Sequence, residues 1–417
     1  MKVVIIAGGQ GTRISSVNNE IPKAMIPVAG KPVLEYQVEL AIRYGLTDFI
    51  FVIGYLGNVI KDYFGDGSKW NITITYYHEQ VPLGTAGAIS QIAHLLAEDF
   101  FMFYGDTVMD IALDEMLKFH KEHQSEATLF IHPNDHPYDS DIVEIDAEAR
   151  LRQLHIKPHP EGFVSRNLVN ASLFILSPRV IDYIPKGQKV NFEKHVFPKC
   201  LAEGMRMYGY VSAEYIKDMG TPDRYEKVCQ DVISGKVLHL NKMYSRRAVF
   251  LDRDGVINRE VQFLHKPEQL ELISGVAEAI RLINQKGYLA IVVTNQPVIA
   301  RNLCSIDELN TIHATLETIL GKEHAYLDAI YYCPHHPDSG YIEERKEYKI
   351  VCDCRKPKPG MILQAVKDWN IDLSRSILIG DSEIDIQAGK KAGIAENYLI
   401  EQNKDDALLT ICNNCLV

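Results

Sequence analysis

Short apolar runs alternate with amphipathic stretches along the whole chain. In the first half, runs of strand length cover residues 3–7, 49–55, 72–78 and 100–104, and residues 33–44 have apolar positions at helical spacing. A helix is also predicted after Arg224, through Val228 and Val232, and the apolar run 248–251 begins the second half. This alternation predicts an α/β fold in both halves.

The chain has 417 residues, which is more than one ordinary hydrophobic core accommodates, so two domains are expected. A short polar segment separates the predicted helix, which ends near Gly235, from the apolar run 248–251. We therefore place the boundary at residues 236–246, between domains covering 1–236 and 246–417.

Composition limits the classes of partner. The net charge of −11 argues against a nucleic-acid binder, because affinity for the phosphate backbone requires a basic face. This charge does not exclude anionic small-molecule substrates that a few local cations bind. The N-terminal sequence contains neither a long apolar run nor a signal-peptide pattern, so a cytoplasmic protein without a membrane partner is expected. Thiols stay reduced in that compartment, and the eight cysteines are expected to be buried, reactive or metal-bound. The sequence leaves the oligomeric state open.

A glycine-rich loop follows the first predicted strand. Its glycines allow the backbone to approach phosphates and to offer N–H donors to them. The loop contains Gly8, Gly9, Gly11, Thr12 and Arg13. It lacks the Gly-Lys-Ser/Thr of a Walker motif, and Ile14 replaces the third glycine of a dinucleotide fingerprint. Taken alone, the loop is also compatible with a tight turn between a strand and a helix.

Further motifs follow this loop in order. They are Pro22-Lys23, Glu79 with Pro-Leu-Gly-Thr-Ala-Gly at 82–87, Tyr104-Gly105-Asp106, Asn170, and Asp-Met-Gly-Thr-Pro at 218–222. Together with the loop they resemble the sugar-1-phosphate nucleotidyltransferases, and most nearly the heptose- and mannose-1-phosphate guanylyltransferases. The resemblance covers residues 1–230 and implies a Rossmann-like, GT-A-like mixed sheet.

The resemblance also implies roles for these residues. A sugar phosphate oxygen attacks the α-phosphorus of a nucleoside triphosphate, so the protein must bring anions together and needs no nucleophile of its own. Arg13 and Lys23 would neutralise the phosphates, and Asp106 and Asp218 would share a Mg²⁺ ion. Nucleotide contacts are expected from Gly8, Gly9, Gly11, Thr12, Glu79, Gly84 and Thr85, and sugar phosphate contacts from Lys157 and Asn170.

Alternatives and departures accompany this interpretation. Asp106 is also compatible with a helix cap, Asp218 with a turn, and Lys23 with a solvated charge. The usual Glu-Lys-Pro is present as Ile-Lys-Pro at 156–158, and Ser172 stands where the family usually has glycine. Both departures affect the expected sugar side of the site.

Two carboxylates, Asp252 and Asp254, directly follow the apolar run that begins the second half. Later segments accompany them in order: Thr294-Asn295, Arg355-Lys356, and Asp381 in a Gly-Asp-Ser sequence. This order resembles the haloacid dehalogenase superfamily of phosphatases, which implies a doubly wound parallel sheet. In such sheets the site lies outside the carboxyl ends of the strands, where these residues would meet.

The second resemblance implies a covalent mechanism. Asp252 would attack phosphorus to form an aspartyl phosphate, and Asp254 would protonate the leaving oxygen and then activate water. A Mg²⁺ ion would be bound by Asp252, the carbonyl of Asp254, and Asp381. Phosphate or substrate contacts are expected from Thr294, Asn295, Arg355 and Lys356. The alternative is that these acids are structural, because Asp-x-Asp is common in turns.

Thiols and imidazoles cluster between the last two of these motifs. The residues Cys333, His335, Cys352 and Cys354 make a Cys₃His set, which suits a closed tetrahedral Zn²⁺ site. Their surroundings resemble the zinc-bearing heptose bisphosphate and histidinol phosphate phosphatases, so the metal would be structural. The alternatives are reduced core thiols with a solvated histidine, or His336 as the ligand. No function is assigned to Cys412 and Cys415.

The two halves make sense as consecutive steps of nucleotide-activated heptose synthesis. The C-terminal half would remove the 7-phosphate of D-glycero-D-manno-heptose 1,7-bisphosphate, and the N-terminal half would transfer GMP from GTP to heptose 1-phosphate. The alternatives are another sugar-1-phosphate nucleotidyltransferase with a histidinol-phosphate-type phosphatase, or one non-catalytic half. The sequence leaves open the base, the sugar and its anomer, and any channelling of the intermediate.

Overall fold

The computed structural model describes residues 1–9, 20–338 and 343–416, and the chain divides into two compact units. The first contains Met1–His132, Asp141–Lys157 and Val169–Asn241, and the second contains Pro133–Ser140, Pro158–Leu168 and Lys242–Val417. The main change of unit thus lies inside the predicted boundary region, while two short segments of the first half belong to the second unit. Independent folding of 1–236 and 246–417 stays a prediction.

The first unit is built mainly from strands. These are β1 (Val3–Ala7), β2 (Pro27–Val28), β3 (Lys31–Pro32), β4 (Asp48–Ile53), β5 (Thr73–His78), β6 (Phe100–Tyr104), β7 (Thr107–Asp110), β8 (Ala127–His132), β9 (Ile142–Ile145), β10 (Leu151–His155), β11 (Val169–Leu176), β12 (Met207–Val211) and β13 (Tyr215–Asp218). The helices are α1 (Val33–Arg43), α2 (Gly57–Phe64), α3 (Gly84–Gln91), α4 (Leu113–Glu122), α5 (Pro178–Ile181), α6 (Phe197–Ala202), α7 (Pro222–Ile233) and α8 (Lys236–His239), with a π-helical turn at Phe192–Val196.

The large sheet of this unit is mixed, as the resemblance implied. Its strands run in the order β10-β9-β11-β6-β1-β4-β5, and β8 pairs with β11 and β12. The strands β6, β1, β4 and β5 are parallel, whereas β11 is antiparallel to β6. The chain passes from β1 to β4 and β5 on one side and returns to β6 on the other. A switch of this kind opens a crevice at the carboxyl ends of β1 and β6.

Apolar residues explain why these elements pack. The strand β1 is almost entirely buried, and α1 covers the sheet with an apolar face that includes Leu34 and Val38. Phe51 and Phe103 lie in the same hydrophobic cluster. The predicted strands and the helix at 33–44 are therefore confirmed, with ends shifted by no more than a few residues.

The second unit is a parallel sheet between helices. Its strands are β14 (Ala248–Leu251), β15 (Leu289–Asn295), β16 (Ala329–Cys333), β17 (Ile377–Gly380) and β18 (Glu396–Leu399). Its helices are α9 (Val276–Gln285), α10 (Ile306–Lys322), α11 (Gly360–Trp369), α12 (Glu383–Ala392) and α13 (Ala407–Cys415).

The strands of this unit run in the order β16-β15-β14-β17-β18, and every neighbouring pair is parallel. All residues of β14 and β17 are buried, as expected for central strands covered on both faces. The order reverses at β14, so the switch point lies between β14 and β17 and the predicted doubly wound fold is confirmed. Over the described residues, the structure contains no helix with the length and apolar character needed to cross a membrane.

Candidate active sites

Acidic side chains meet at the switch point of the parallel sheet. β14 ends at Leu251 and β17 ends one residue before Asp381, so Asp252, Asp254 and Asp381 follow neighbouring strands. Gly255 has a φ of 81°, and a Cβ at this position would lie 2.2 Å from Asp381 Oδ2. Only glycine permits this turn and this close approach together.

A buried lysine joins the acids of the two strands. Lys356 Nζ lies 2.9 Å from Asp252 Oδ1 and 2.6 Å from Asp385 Oδ1, and it donates a 2.7 Å hydrogen bond to the carbonyl of Val293. The residue is only 3% exposed. The structure therefore places the predicted phosphate-binding lysine directly beside the predicted nucleophile.

The Asn295 side chain holds the backbone of that lysine. The N–H of Lys356 donates to Asn295 Oδ1 at 3.0 Å, and Asn295 Nδ2 donates to the Lys356 carbonyl at 3.2 Å. Thr294 is buried beside it, and its hydroxyl oxygen accepts from Gln296 Nε2 at 2.9 Å. Asn295 thus orients Lys356, while direct phosphate contacts of Thr294 and Asn295 stay predictions.

Burial and charge set the electrostatics of this cluster. Burial raises the pKa of Asp252 to about 6, and Asp385 adds to the rise while Lys356 opposes it. Burial likewise raises the pKa of Asp381 above its usual value. Burial acts to lower the pKa of Lys356, but Asp252 and Asp385 outweigh it and hold the pKa above its ordinary value. The site therefore has an excess of carboxylates for its one buried lysine.

A divalent cation would relieve that excess. Oxygens of Asp252, Asp381 and Asp385 all lie within 4.8 Å of one another. Carboxylate oxygens are the ligands that Mg²⁺ prefers, so the donor set fits the predicted ion. Asp385 was not among the predicted ligands, although its spacing of four residues from Asp381 places both at the start of α12.

The predicted Cys₃His residues also meet. Cys333 Sγ lies 3.5 Å from Cys352 Sγ and 3.2 Å from Cys354 Sγ, and the last two sulfurs are 3.2 Å apart. His335 Nδ1 lies 3.4 Å from Cys354 Sγ. His336 is outside this cluster. Its Nδ1 instead accepts from the N–H of Asp338 at 3.2 Å. The choice of His335 over His336 is therefore supported, and the donor set fits Zn²⁺.

Arg355 lies between this cluster and Lys356 in the sequence. Its Nη1 donates to the carbonyl of His335 at 3.1 Å. The guanidinium thus ties the cysteine segment 352–354 to the histidine segment. Its predicted contact with substrate phosphate stays a prediction.

The acids of the first unit lie beside cations. Lys23 and Asp106 form an ion pair, and the N–H of Met219 donates to the carbonyl of Asp106 at 3.1 Å, which brings the loop of Asp218 alongside. Asp218 Oδ2 lies 2.9 Å from Arg224 Nη1. Burial acts to raise the pKa of Asp218, but Arg224 and Lys23 outweigh it and hold that pKa below its usual value. Two carboxylates on adjacent loops fit a Mg²⁺ ion.

Glu79 connects the predicted nucleotide-binding segments. Its Oε1 accepts from the N–H of Leu83 at 2.8 Å, and a Cβ on Gly8 would lie 3.0 Å from its Oε2. Gly84 and Thr85 begin α3, directly after this contact. The segment at 82–87 is thereby held close to the end of β1. The predicted residues Gly11, Thr12 and Arg13 lie outside the described part of the chain.

A buried carboxylate that the sequence analysis missed lies on the predicted sugar side. Glu193, in the π-helical turn, accepts a 2.8 Å hydrogen bond from Tyr104 Oη, and the Asn170 side chain lies close to it. Burial raises the pKa of Glu193. The N–H of Phe192, the preceding residue, donates to Thr85 Oγ1 at 3.3 Å, so these contacts link the nucleotide and sugar segments. Lys157 is placed by its N–H, which donates to Asp141 Oδ1 at 3.0 Å.

Comparison with known families agrees with these two sites. The family model described as "Nucleotidyl transferase" matches residues 2–235, which is more than half of the chain. The chain belongs to the nucleotidyl transferase family. A second model, described as "haloacid dehalogenase-like hydrolase", matches residues 194–393.

Curated relatives of this nucleotidyl transferase fall into two groups. The chain is 34% identical over 234 residues to the mannose-1-phosphate guanylyltransferase of Mycobacterium tuberculosis, matching 56% of this chain and 64% of that protein. It is 30% identical over 255 residues to mannose-1-phosphate guanyltransferase beta-A of Xenopus laevis, matching 60% of this chain and 68% of that protein.

The second group matches the other half. The chain is 41% identical over 158 residues to the D-glycero-beta-D-manno-heptose-1,7-bisphosphate 7-phosphatase of Haemophilus influenzae, matching 38% of this chain and 83% of that protein. The protein is therefore an enzyme in which a nucleotidyl transferase half is fused to a phosphatase half of the haloacid dehalogenase type.

Proposed function

We propose that this chain carries out two consecutive steps of nucleotide-activated heptose synthesis. The phosphatase half removes the 7-phosphate of D-glycero-D-manno-heptose 1,7-bisphosphate, and the nucleotidyl transferase half couples heptose 1-phosphate to GMP from GTP and releases pyrophosphate. One observation carries the proposal: relatives of a heptose bisphosphate phosphatase and of a sugar-1-phosphate guanylyltransferase are joined in one chain.

The phosphatase step follows from the acids at the switch point. An oxygen of Asp252 forms a bond to phosphorus while the bond from phosphorus to the sugar oxygen breaks, and Asp254 donates its proton to that oxygen. Asp254 then accepts a proton from the water that hydrolyses the aspartyl phosphate. Lys356, 2.9 Å from the nucleophile, holds the phosphoryl oxygens. A Mg²⁺ ion on Asp252, Asp381, Asp385 and the Asp254 carbonyl would neutralise charge during attack.

The transferase step requires alignment and charge neutralisation. The phosphate oxygen of heptose 1-phosphate attacks the α-phosphorus of the nucleotide, and the bond to pyrophosphate breaks. Lys23 and Arg13 neutralise the phosphates, and Asp106 and Asp218 would hold Mg²⁺. The buried Glu193 and the partly exposed Asn170 fit recognition of sugar hydroxyl groups, because a carboxylate and an amide together offer several hydrogen-bonding positions.

Further properties belong to the same proposal. Zn²⁺ on the Cys₃His cluster would be structural, since the cluster supplies four protein ligands and a tetrahedral ion would keep no open position. The partners are sugar phosphates and a nucleoside triphosphate, the location is the cytoplasm, and the product serves synthesis of surface lipopolysaccharide.

A single competition assay tests the function. The full chain is incubated with D-glycero-D-manno-heptose 1,7-bisphosphate, Mg²⁺, pyrophosphatase and all common nucleoside triphosphates, and the products are identified by mass. The expected product is GDP-heptose without the distal phosphate. A different nucleotide sugar corrects the base, release of heptose 1-phosphate alone supports only the phosphatase, and an unconsumed bisphosphate contradicts the heptose assignment. A parallel reaction with histidinol phosphate tests the alternative phosphatase substrate.

A further inference from the structure

The residue between the two phosphatase aspartates is buried and has no part in the steps above. Arg253 has 0% of its surface exposed. Its Nε and Nη2 donate to Asp254 Oδ1 at 3.1 and 2.9 Å, and Nη2 is also 2.9 Å from Asp254 Oδ2. The guanidinium therefore holds both oxygens of the adjacent carboxylate.

Gln296 completes this arrangement from the next strand. Its Nε2 donates to Asp254 Oδ2 at 2.8 Å, and its Oε1 accepts from Arg253 Nη2 at 2.9 Å. Asn258 Nδ2 donates to Asp254 Oδ1 at 2.9 Å. Gln296 and Asn258 are only 2% and 0% exposed, so neither bond competes with bulk water. The orientation of the Asp254 carboxylate is determined by three side chains.

His313, on α10, supports Arg253 from the far side. Arg253 Nη1 lies 3.2 Å from His313 Nε2. A guanidinium offers only donors, so Nε2 must accept and the imidazole is neutral with its proton on Nδ1. Any change of this histidine that removes the acceptor leaves a buried N–H without its partner.

Stability alone is a poor explanation for a buried ion pair. Removing two charges from water costs about as much as their attraction returns, and apolar side chains of similar volume often fill such a space equally well. What apolar residues cannot do is hold a carboxylate at a defined angle. The contacts around Asp254 are thus best explained by a requirement on its geometry.

We propose that Arg253 and Gln296 are positioning residues that orient Asp254 for proton transfer to the leaving oxygen, and that His313 orients Arg253. The inference rests on the proposed function, in which Asp254 is the general acid. Burial acts to raise the pKa of Asp254, but Arg253, Asn258 and Gln296 outweigh it and hold that pKa below its usual value. Positioning by Arg253 must therefore outweigh the smaller protonated fraction of Asp254 that the guanidinium causes.

The Arg253 side chain contacts Asp254 and not the nucleophile, although its backbone N–H donates to Asp252 Oδ1 at 2.7 Å. Gln296 also donates to Thr294 at 2.9 Å, and a loss that acts through Thr294 would affect every phosphate substrate, whereas a loss that acts through Asp254 depends on the leaving group.

The leaving group provides the test. A sugar alkoxide needs a proton as it departs, whereas p-nitrophenolate departs without one. In the full chain, Arg253→Met and Gln296→Leu should each lower kcat/KM for the heptose bisphosphate on the order of 100-fold, the usual contribution of a general acid, and lower kcat/KM for p-nitrophenyl phosphate by less than about 5-fold. His313→Gln, which keeps an acceptor for Arg253, should preserve most activity, and His313→Leu should not.

Asp254→Asn is the reference variant. It should show the same selectivity, and adding Arg253→Met to it should cause no further loss in kcat/KM for the bisphosphate. Equal losses for both substrates in a folded Arg253 or Gln296 variant, or no loss for either, overturn the positioning role. If those variants lack selectivity while Asp254→Asn has it, only this inference fails. If Asp254→Asn also lowers kcat/KM equally for both substrates, the proposed role of Asp254 as general acid is contradicted too. Thermal unfolding checks folding, and Gln296→Leu decides if Arg253→Met is unfolded.

Discussion

At the residue scale, Asp252 has surroundings that oppose its ionisation. Burial raises its pKa to about 6, with a further contribution from Asp385, although Lys356 lies beside it. A metal ion would favour the ionised form of this proposed nucleophile, which is the form that attacks phosphorus. The same environment has a consequence for stability that depends on pH.

Without Mg²⁺, the ionised Asp252 should destabilise the second unit as the pH rises. Its folded-state pKa of about 6 exceeds the usual 3.8, so the folded state binds more protons between these values and the contribution to stability falls across that window. Asp252→Asn should therefore have a higher Tm than the unsubstituted chain, by on the order of 5 °C near pH 7 and by less near pH 4.5. Thermal unfolding at both pH values, with zinc retained, measures this; a difference independent of pH contradicts it.

Ser172 carries backbone strain at the position where the family usually has glycine. Its φ is 59°, in the left-handed region, and the register of β11 against β8 is irregular between Asn170 and Phe174. Glycine at this position relieves the backbone strain, which stabilises the folded state. It also increases the conformational entropy of the unfolded chain, which opposes part of that gain, so Ser172→Gly should raise the free energy of unfolding by about 0.5 kcal/mol. Chemical denaturation checks the sign, with Ser172→Ala as the matched control that keeps the Cβ. A less stable glycine variant contradicts the explanation by strain.

At the element scale, the loop after β16 links the Cys₃His cluster to the candidate phosphatase site. Cys333 ends β16, and its carbonyl accepts from the N–H of Gln296 at 2.8 Å. Cys354 lies two residues before Lys356, whose backbone is held by Asn295. A metal that fixes the cysteines therefore also fixes the lysine beside the nucleophile.

Loss of one cysteine from the Cys₃His cluster should lower phosphatase activity and spare nucleotidyl transfer. Cys352→Ser is expected to reduce bound zinc from about one per chain toward zero, because a structural site needs all four ligands. Phosphatase activity should fall at least about 10-fold, since Lys356 loses its support. Metal analysis and both assays on the same sample measure this.

Cys229→Ser is the matched control for that change. Cys229 is a free thiol on α7 and outside the cluster, so the substitution should leave zinc content and both activities unchanged. A chain with near-zero zinc and full phosphatase activity contradicts the structural role of the metal.

At the scale of the whole molecule, each unit has its own acids, cations and switch point. We expect Asp252→Asn to lower phosphatase activity by on the order of 10³-fold or more and to spare nucleotidyl transfer. Asp106→Ala, which would remove a proposed metal ligand, should lower nucleotidyl transfer by at least about 100-fold and spare the phosphatase. Separate assays with heptose 1-phosphate and with the bisphosphate measure each reaction.

The two variants serve as controls for each other. If one half were only a binding module, its variant would leave the single existing activity unchanged and reveal no second activity to lose. Loss of both activities in either variant would contradict independent sites.

The strands and the site positions that follow them were predictable for a local reason. A buried strand such as β1 or β14 is a continuous apolar run, and the polar residue at its end marks the catalytic edge of the sheet. Asp252, Asp381 and Asp106 were accessible to sequence analysis in this way. The Cys₃His set was accessible because its members are close along the chain in two pairs.

Other members of the sites were not predictable, because their roles depend on contacts between distant segments. Glu193 was missed since its π-helical turn gives no sign of proximity to Tyr104 and Asn170. Asn295 ends β15, at the edge of the sheet where a phosphate ligand is expected, but its amide is bound to the backbone of Lys356.

Two α/β halves, and the residue types that follow their strands, can be recognised in the sequence because periodicity and motif spacing are local properties of the chain. Other contacts form only in the folded chain: Asp385 joins Asp252 and Asp381, His335 rather than His336 meets the cysteines, and Arg253 turns inward to Asp254. Strand order and side-chain direction decide such contacts, and both are set by packing of the whole core rather than by neighbours in the sequence.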